Sequence, residues 1–98
     1  MKLESKFYNE LKRITPKIRW TRLENTSVLG TPDVLGYNSH QHFFTVELKV
    51  TKTNKVRLSP HQISFHILHP ENAFILVKTK AACRLYLGKQ VRELFACG

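Results

Sequence analysis

The stretch "GTPDVLGYNSHQHFFTVELKV", residues 30–50, decides the fold. Its second half, "HFFTVELKV" (42–50), alternates cleanly. Phe44, Val46, Leu48 and Val50 point to one face, and Phe43, Thr45, Glu47 and Lys49 to the other, as a strand requires. "DVLGY" (33–37) reads as a shorter strand and "NSHQ" as the turn between them. The chain has only seven Asp or Glu against sixteen Lys or Arg. Yet one acid, Asp33, follows a proline at the mouth of the short strand, and another, Glu47, projects beside Lys49 from the long one. If the two strands are hairpin neighbours, the two carboxylates come together.

Working outward, Leu3, Phe7, Leu11 and Ile14 recur at helical steps over residues 2–14, and Pro16 ends that helix. "IRWTRL" (18–23) suits a strand, and "ENTSVLGTP" (24–32) is loop chemistry. Beyond the hairpin, "TKTNKVRL" is a basic loop. Ser59 and Pro60 then open a helix that runs to about His69, where Pro70 follows. "AFILVKT" and "CRLYLG" are strands, and "KQVRELFA" (89–96) a short final helix. The order α-β-β-β-α-β-β-α predicts an α/β (α+β) domain with a mixed central sheet flanked by helices. At 98 residues it makes a single domain, 1–98, with a modest core for which pairing with a second copy is an option.

The formal charge of +9 calls for a polyanionic partner, nucleic acid first and an anionic membrane surface second. Nothing else supports a membrane: no apolar run approaches the ~20 residues of a span, the charged N-terminus does not read as a signal peptide, and no lipidation motif is present. Cys83 and Cys97 suggest neither a disulfide framework nor a zinc site. These features lead us to expect an intracellular, cytoplasmic protein with reduced thiols. No Gly-rich phosphate loop, nucleophile elbow or dinucleotide fingerprint occurs.

Two carboxylates converging near one lysine are what a magnesium-dependent phosphodiesterase needs. Mg²⁺ takes oxygen ligands, commonly one or two carboxylates with substrate phosphate and water. Bound there, it polarises a phosphoryl group and makes a nucleophile of water at neutral pH. A lysine alongside can orient that water or offset charge on the phosphate. The competing reading is an Asp capping a turn and a cross-strand Glu/Lys pair on a solvated face. The joint occurrence of all three on a strongly basic chain favours the catalytic one.

P-D, thirteen intervening residues, then E-x-K resembles the PD-(D/E)xK nuclease superfamily, which has the restriction-endonuclease-like fold. The run from "RLENTSVLGTPDVLGY" through "TVELKV" to "LSPHQISFHILH" looks most like VRR-NUC and phage Holliday-junction-resolvase-like nucleases. The resemblance implies a Mg²⁺-dependent DNA endonuclease, with Mn²⁺ able to substitute, acting on branched DNA as a homodimer. It makes Asp33 and Glu47 the metal-binding carboxylates, the backbone carbonyl of Leu48 a further ligand, and Lys49 the catalytic lysine. Gln62 matches a glutamine that helps position water or phosphate, although with Ser59 it also forms a capping box. The first-helix acid is Glu4 or Glu10. Helical geometry favours Glu4 if Tyr8 is buried and leaves the two nearly equal otherwise, whereas the family's pattern favours Glu4.

Lys52, Lys55 and Arg57 follow the acids directly and are expected to clamp DNA phosphates. Arg19 and Arg22 flank Trp20. Arg22 is expected to add to DNA binding, while the lone Trp reads as core rather than as a stacking platform. His61, His66 and His69 lack a metal-binding pattern and are expected at the helix surface or partly buried. Rival readings are a DNA-binding module of the same fold without catalysis, or a nuclease acting on flaps, nicked duplex or RNA.

Overall fold

The computed structural model describes residues 2–23, 30–53 and 55–91. They form α1 (Lys2–Ile14), β1 (Arg19–Arg22), β2 (Val34–Tyr37), β3 (Phe43–Val50), α2 (Pro60–Leu68), β4 (Ala73–Lys78) and β5 (Cys83–Leu87), closed by a 3₁₀ turn at Gly88–Gln90. This is the expected order up to the last element. Of the expected helix at 89–96, everything from residue 92 lies outside the described residues, as do residues 24–29 of the expected loop.

The five strands form one sheet in the order β1-β2-β3-β4-β5. β1, β2 and β3 pair antiparallel, β3 and β4 parallel, and β4 and β5 antiparallel. The change of direction follows from connection length. The β2–β3 link is a tight turn in which Asn38 Oδ1 accepts from the amides of His40 (2.9 Å) and His42 (3.1 Å), with Gln41 in the left-handed region. β3 and β4 are joined through α2, the crossover that a parallel pair needs.

Each sheet face has its own core. On one, Phe7, Tyr8 and Leu11 of α1 pack on Val34, Val46 and Leu48. On the other, Ile75 and Val77 of β4 pack with Val91, and Val56, Leu58 and Ile63 join them. Full burial of one such aliphatic side chain contributes about 1.5–3 kcal/mol. The expected stripe of α1 is right only at its centre. Leu3 and Ile14 are 58% and 59% exposed because the helix ends overhang the sheet, and Tyr8 is buried instead. Its ring carries cations on its faces, Lys12 Nζ at 4.6 Å and the Arg22 guanidinium at 5.7 Å from the centroid.

Trp20 is half-buried against the α1-side core, as expected. Its indole N–H donates to Thr15 Oγ1 at 2.8 Å. His66 corrects the expectation for the helix histidines, for it is fully buried. Its Nδ1 lies 2.8 Å from the Gln62 carbonyl, which can only accept, so Nδ1 carries the proton. Among the described residues, no helix is long and apolar enough to cross a membrane.

Candidate active site

The hairpin register puts Val34 opposite Val46, and the β2–β3 ladder stops there. Two residues further along the same edge, Pro32 would face Leu48. Proline has no N–H to give, so the ladder cannot continue. The Asp33 side chain takes over, its Oδ2 accepting from the Leu48 amide at 2.8 Å. Pro32 thus ends the pairing and leaves the Leu48 carbonyl without a donor from β2. Asp33 pins its own carboxylate to β3, beside Glu47.

Glu47 is 3% exposed. Its Oε2 accepts from Gln62 Nε2 at 3.1 Å and lies 4.0 Å from Lys49 Nζ. Its Oε1 is buried and meets no hydrogen-bond donor. Burial, then the Asp33 charge and a hydrogen bond between the two carboxyls, push Glu47 from 4.5 up to about 9, with Lys49 opposing and Glu4 adding to the rise. At neutral pH without a cation, Glu47 therefore favours its protonated form.

Gln62 forms the expected capping box and makes a second contact besides. Ser59 Oγ accepts from the Gln62 amide at 3.2 Å, and Gln62 Oε1 accepts from the Ser59 amide at 2.9 Å, completing a capping box. The other end of the same side-chain amide reaches Glu47. The cap therefore holds α2 and Glu47 in one arrangement. Gly30 lies against the same helix end. It lies at φ +83°, and a Cβ there would collide with the His61 carbonyl.

Glu4 and Glu10 lie in different surroundings. Tyr8 is buried, and Glu4 lines a cavity of about 190 Å³ together with Arg22, Asp33 and Leu48. Glu10 is engaged elsewhere, accepting from Lys78 Nζ at 3.0 Å. Arg22 Nη2 donates to Ser5 Oγ at 3.1 Å. The arginine thus stands over the acids, a placement that strand periodicity alone does not give.

Lys52, Lys55 and Arg57 are exposed on the loop that leaves β3. Threonine hydroxyls shape this loop: Thr51 Oγ1 donates to the Lys55 carbonyl at 3.0 Å, and the Lys55 amide donates to Thr53 Oγ1 at 3.2 Å. Sequence reasoning missed Ser5 and the burial of His66, and left the burial of Tyr8 open. The alternation of Thr51 and Thr53 with lysines was the available signal for an ordered loop.

Among the described residues, no cluster of three His, Cys, Asp or Glu side chains is arranged to hold a metal ion. The donor set at Asp33 and Glu47 is smaller and harder: two carboxylates and a backbone carbonyl. That set fits a hard cation such as Mg²⁺, which keeps several waters and uses one or two carboxylates. The buried, donorless Glu47 Oε1 is the atom such a cation would satisfy.

No family model matches the chain, and no curated protein matches it. Among solved structures it is similar to Hjc of Archaeoglobus fulgidus, described as a Holliday junction resolvase from an archaeal hyperthermophile. The two superpose with a TM-score of 0.69 at 18% sequence identity, over 88% of this chain and 78% of that one. The mixed five-stranded sheet with its two helices is the restriction-endonuclease-like fold that this chain shares with the archaeal protein.

Proposed function

We propose that this protein is a Mg²⁺-dependent endonuclease that hydrolyses DNA phosphodiesters, with branched DNA such as a four-way junction as its preferred substrate. One observation carries the reading: Asp33 and Glu47 converge beside Lys49, and a buried Glu47 oxygen meets no donor. The fold shared with a protein described as a Holliday junction resolvase supports it and suggests the substrate.

Asp33, Glu47 and the Leu48 carbonyl are the groups that would hold the cation, with Glu4 facing the same cavity. When bound, the cation would polarise the phosphoryl group and lower the pKa of a water. Lys49 supplies an ammonium that can lie against the phosphate oxygens as charge builds on them. Gln62 holds Glu47 Oε2 through its amide N–H, which would leave Oε1 to meet a cation. Arg22, Lys52, Lys55 and Arg57 supply the charge that draws the backbone in. Two cuts by one small domain are simplest from a homodimer, which light scattering would register as twice the monomer mass.

The test is a cleavage assay at low salt with Mg²⁺ or Mn²⁺. It compares a four-way junction, a flap, a nicked duplex, a plain duplex and an RNA of matched sequence. Metal-dependent cutting of the junction above the rest, lost in Lys49→Ala, is the expected result. Tight DNA binding with no cutting under any metal would make the protein a binding module.

A further inference from the structure

A second concavity, of about 400 Å³, opens on the α1 face at the other end of the sheet from the acids. Its walls include Trp20 near the start of β1, Phe44 near the start of β3, and Phe74 and Leu76 of β4. Asn38, just after β2, and Asn72, just before β4, also line it. α1 covers only part of this face, so that Leu85 at its edge is 58% exposed. The volume falls within the range of small-molecule sites, about 300–1,000 Å³. The rings adjoin edge to face, Trp20 and Phe44 at 5.5 Å and 84°, Phe44 and Phe74 at 5.8 Å and 89°, so that ring faces and ring edges both border the space.

No charged side chain lines it, and the acids next to its lining residues, Glu10 and Glu71, are paired with Lys78 and Lys89. A neighbouring concavity shares Asn38 and is lined by Lys17 and Arg19, and no Asp or Glu lines either. Asn38 gives its oxygen to the amides of His40 and His42, which leaves its NH₂ free to face a ligand. Exposed Lys12 and Arg13 lie beside Leu11 in the last turn of α1. Seating a second copy here would bring these cations against their own counterparts, whereas an anionic partner would be attracted.

We infer that this concavity seats one unpaired nucleotide of a DNA strand, with its base against Trp20, Phe44 and Phe74 and its phosphate toward Lys17 and Arg19. Aromatic walls accept any base by stacking, and flanking cations track the backbone. The inference rests on the reading that the protein acts on DNA and adds a contact remote from the cut. A branched substrate presents unstacked nucleotides at and near its branch, so the site would favour branched over plain duplex.

Trp20 is the only tryptophan in the chain, so its emission reports on this wall. The experiment titrates the full chain, in EDTA, with a short oligothymidylate and with an abasic strand of the same length. Saturable quenching of Trp20, and binding about tenfold tighter for the base-bearing strand, are expected. Lys17→Ala and Arg19→Ala should each flatten the slope of log K against log salt by about 0.7. Leu85→Glu, at an exposed position, should weaken base-dependent binding while circular dichroism stays native.

Equal affinity for the abasic strand with unchanged Trp20 emission would overturn the inference in favour of backbone binding alone. A change in emission with protein concentration, accompanied by a doubled mass, would overturn it in favour of a second copy. Either result leaves the nuclease reading standing, because no metal is present. Failure to bind any DNA would remove both.

Discussion

Gln62 and Glu47 are joined by a hydrogen bond of 3.1 Å between the start of α2 and the centre of β3, and the same glutamine amide caps the helix it sits on. A helix cap and a site carboxylate are thus fixed by one side chain. Gln62→Ala should lower stability by about 0.5–1.5 kcal/mol, the loss of a cap partner and one net hydrogen bond. It should lower the cleavage rate by considerably more, about tenfold to a hundredfold, because Glu47 is freed to rotate. Urea unfolding beside single-turnover cleavage separates the two effects. Equal losses in both would reduce Gln62 to a cap.

Glu47 links stability to pH in a direction opposite to an ordinary salt-bridged carboxylate. Its pKa is 4.5 in the reference state and about 9 in the folded protein. Below the lower value both states are protonated and the contribution to stability is fully present. Between the two, folding takes up a proton, so stability falls as pH rises through this window. The melting temperature in EDTA should therefore decline from pH ~5 to pH ~9, and Glu47→Gln should flatten the decline. Added Mg²⁺ should raise the melting temperature most at the alkaline end, where a cation has least proton to displace. A metal-free melting temperature that climbs across this window would be the contrary result.

Asp33→Asn separates two duties of one side chain. An amide oxygen can still accept from the Leu48 N–H, so the link across the hairpin survives. The negative charge beside Glu47 disappears, and with it most of the attraction for a cation. Near-native melting in EDTA, with Mn²⁺ binding weakened by at least about tenfold in calorimetry, is the expected pair of results. A variant that unfolds would mean that the carboxylate is chiefly structural.

Gly30→Ala should be costly although the residue touches no site atom. The backbone there is left-handed at φ +83°, and the new methyl would meet the His61 carbonyl. The left-handed conformation alone costs roughly 1–2 kcal/mol for a residue with a Cβ, before the collision is counted. Chemical denaturation should show a loss above about 2 kcal/mol. A loss below half of that would show that Gly30 and α2 can separate freely.

Lys52→Gln, Lys55→Gln and Arg57→Gln together should weaken duplex binding and flatten its salt dependence, by about 0.9 in slope for each phosphate no longer neutralised. Cleavage at saturating DNA should change little, since none of the three touches the acids. Fluorescence anisotropy at several salt concentrations measures this. An unchanged slope would place the loop away from DNA.

The hairpin and its acids were legible because period-2 alternation from Phe43 to Val50 leaves one register in which the apolar set is buried, and Pro32 marks where pairing must stop. The α2 cap was legible from Ser59, Pro60 and Gln62 in series. Two other features depended on contacts that no local pattern encodes. Tyr8 is buried because Lys12 and Arg22 flank its ring, and Arg22 belongs to another element. His66 is buried because α2 crosses the sheet with that side inward, and an imidazole can satisfy one nitrogen on its own helix at the Gln62 carbonyl. Leu3 and Ile14 failed for a geometric reason: a helix longer than the surface beneath it leaves its ends in water whatever their chemistry.

The bond between Glu10 and Lys78 spans 68 positions and joins the first helix to the fourth strand. It ties the order of assembly to the appearance of the site. β4 must slot in beside β3 before α1 gains this anchor, and α2 has little to rest on until Ile75 and Val77 lie beneath it. Pairings between distant segments form late. A ribosome-bound chain that has emerged only through Gln62 therefore already contains Glu4, Asp33, Glu47 and Lys49, yet lacks the strand that holds them in place. The strand that completes the sheet beside β3 is thus made after every residue of the acid cluster.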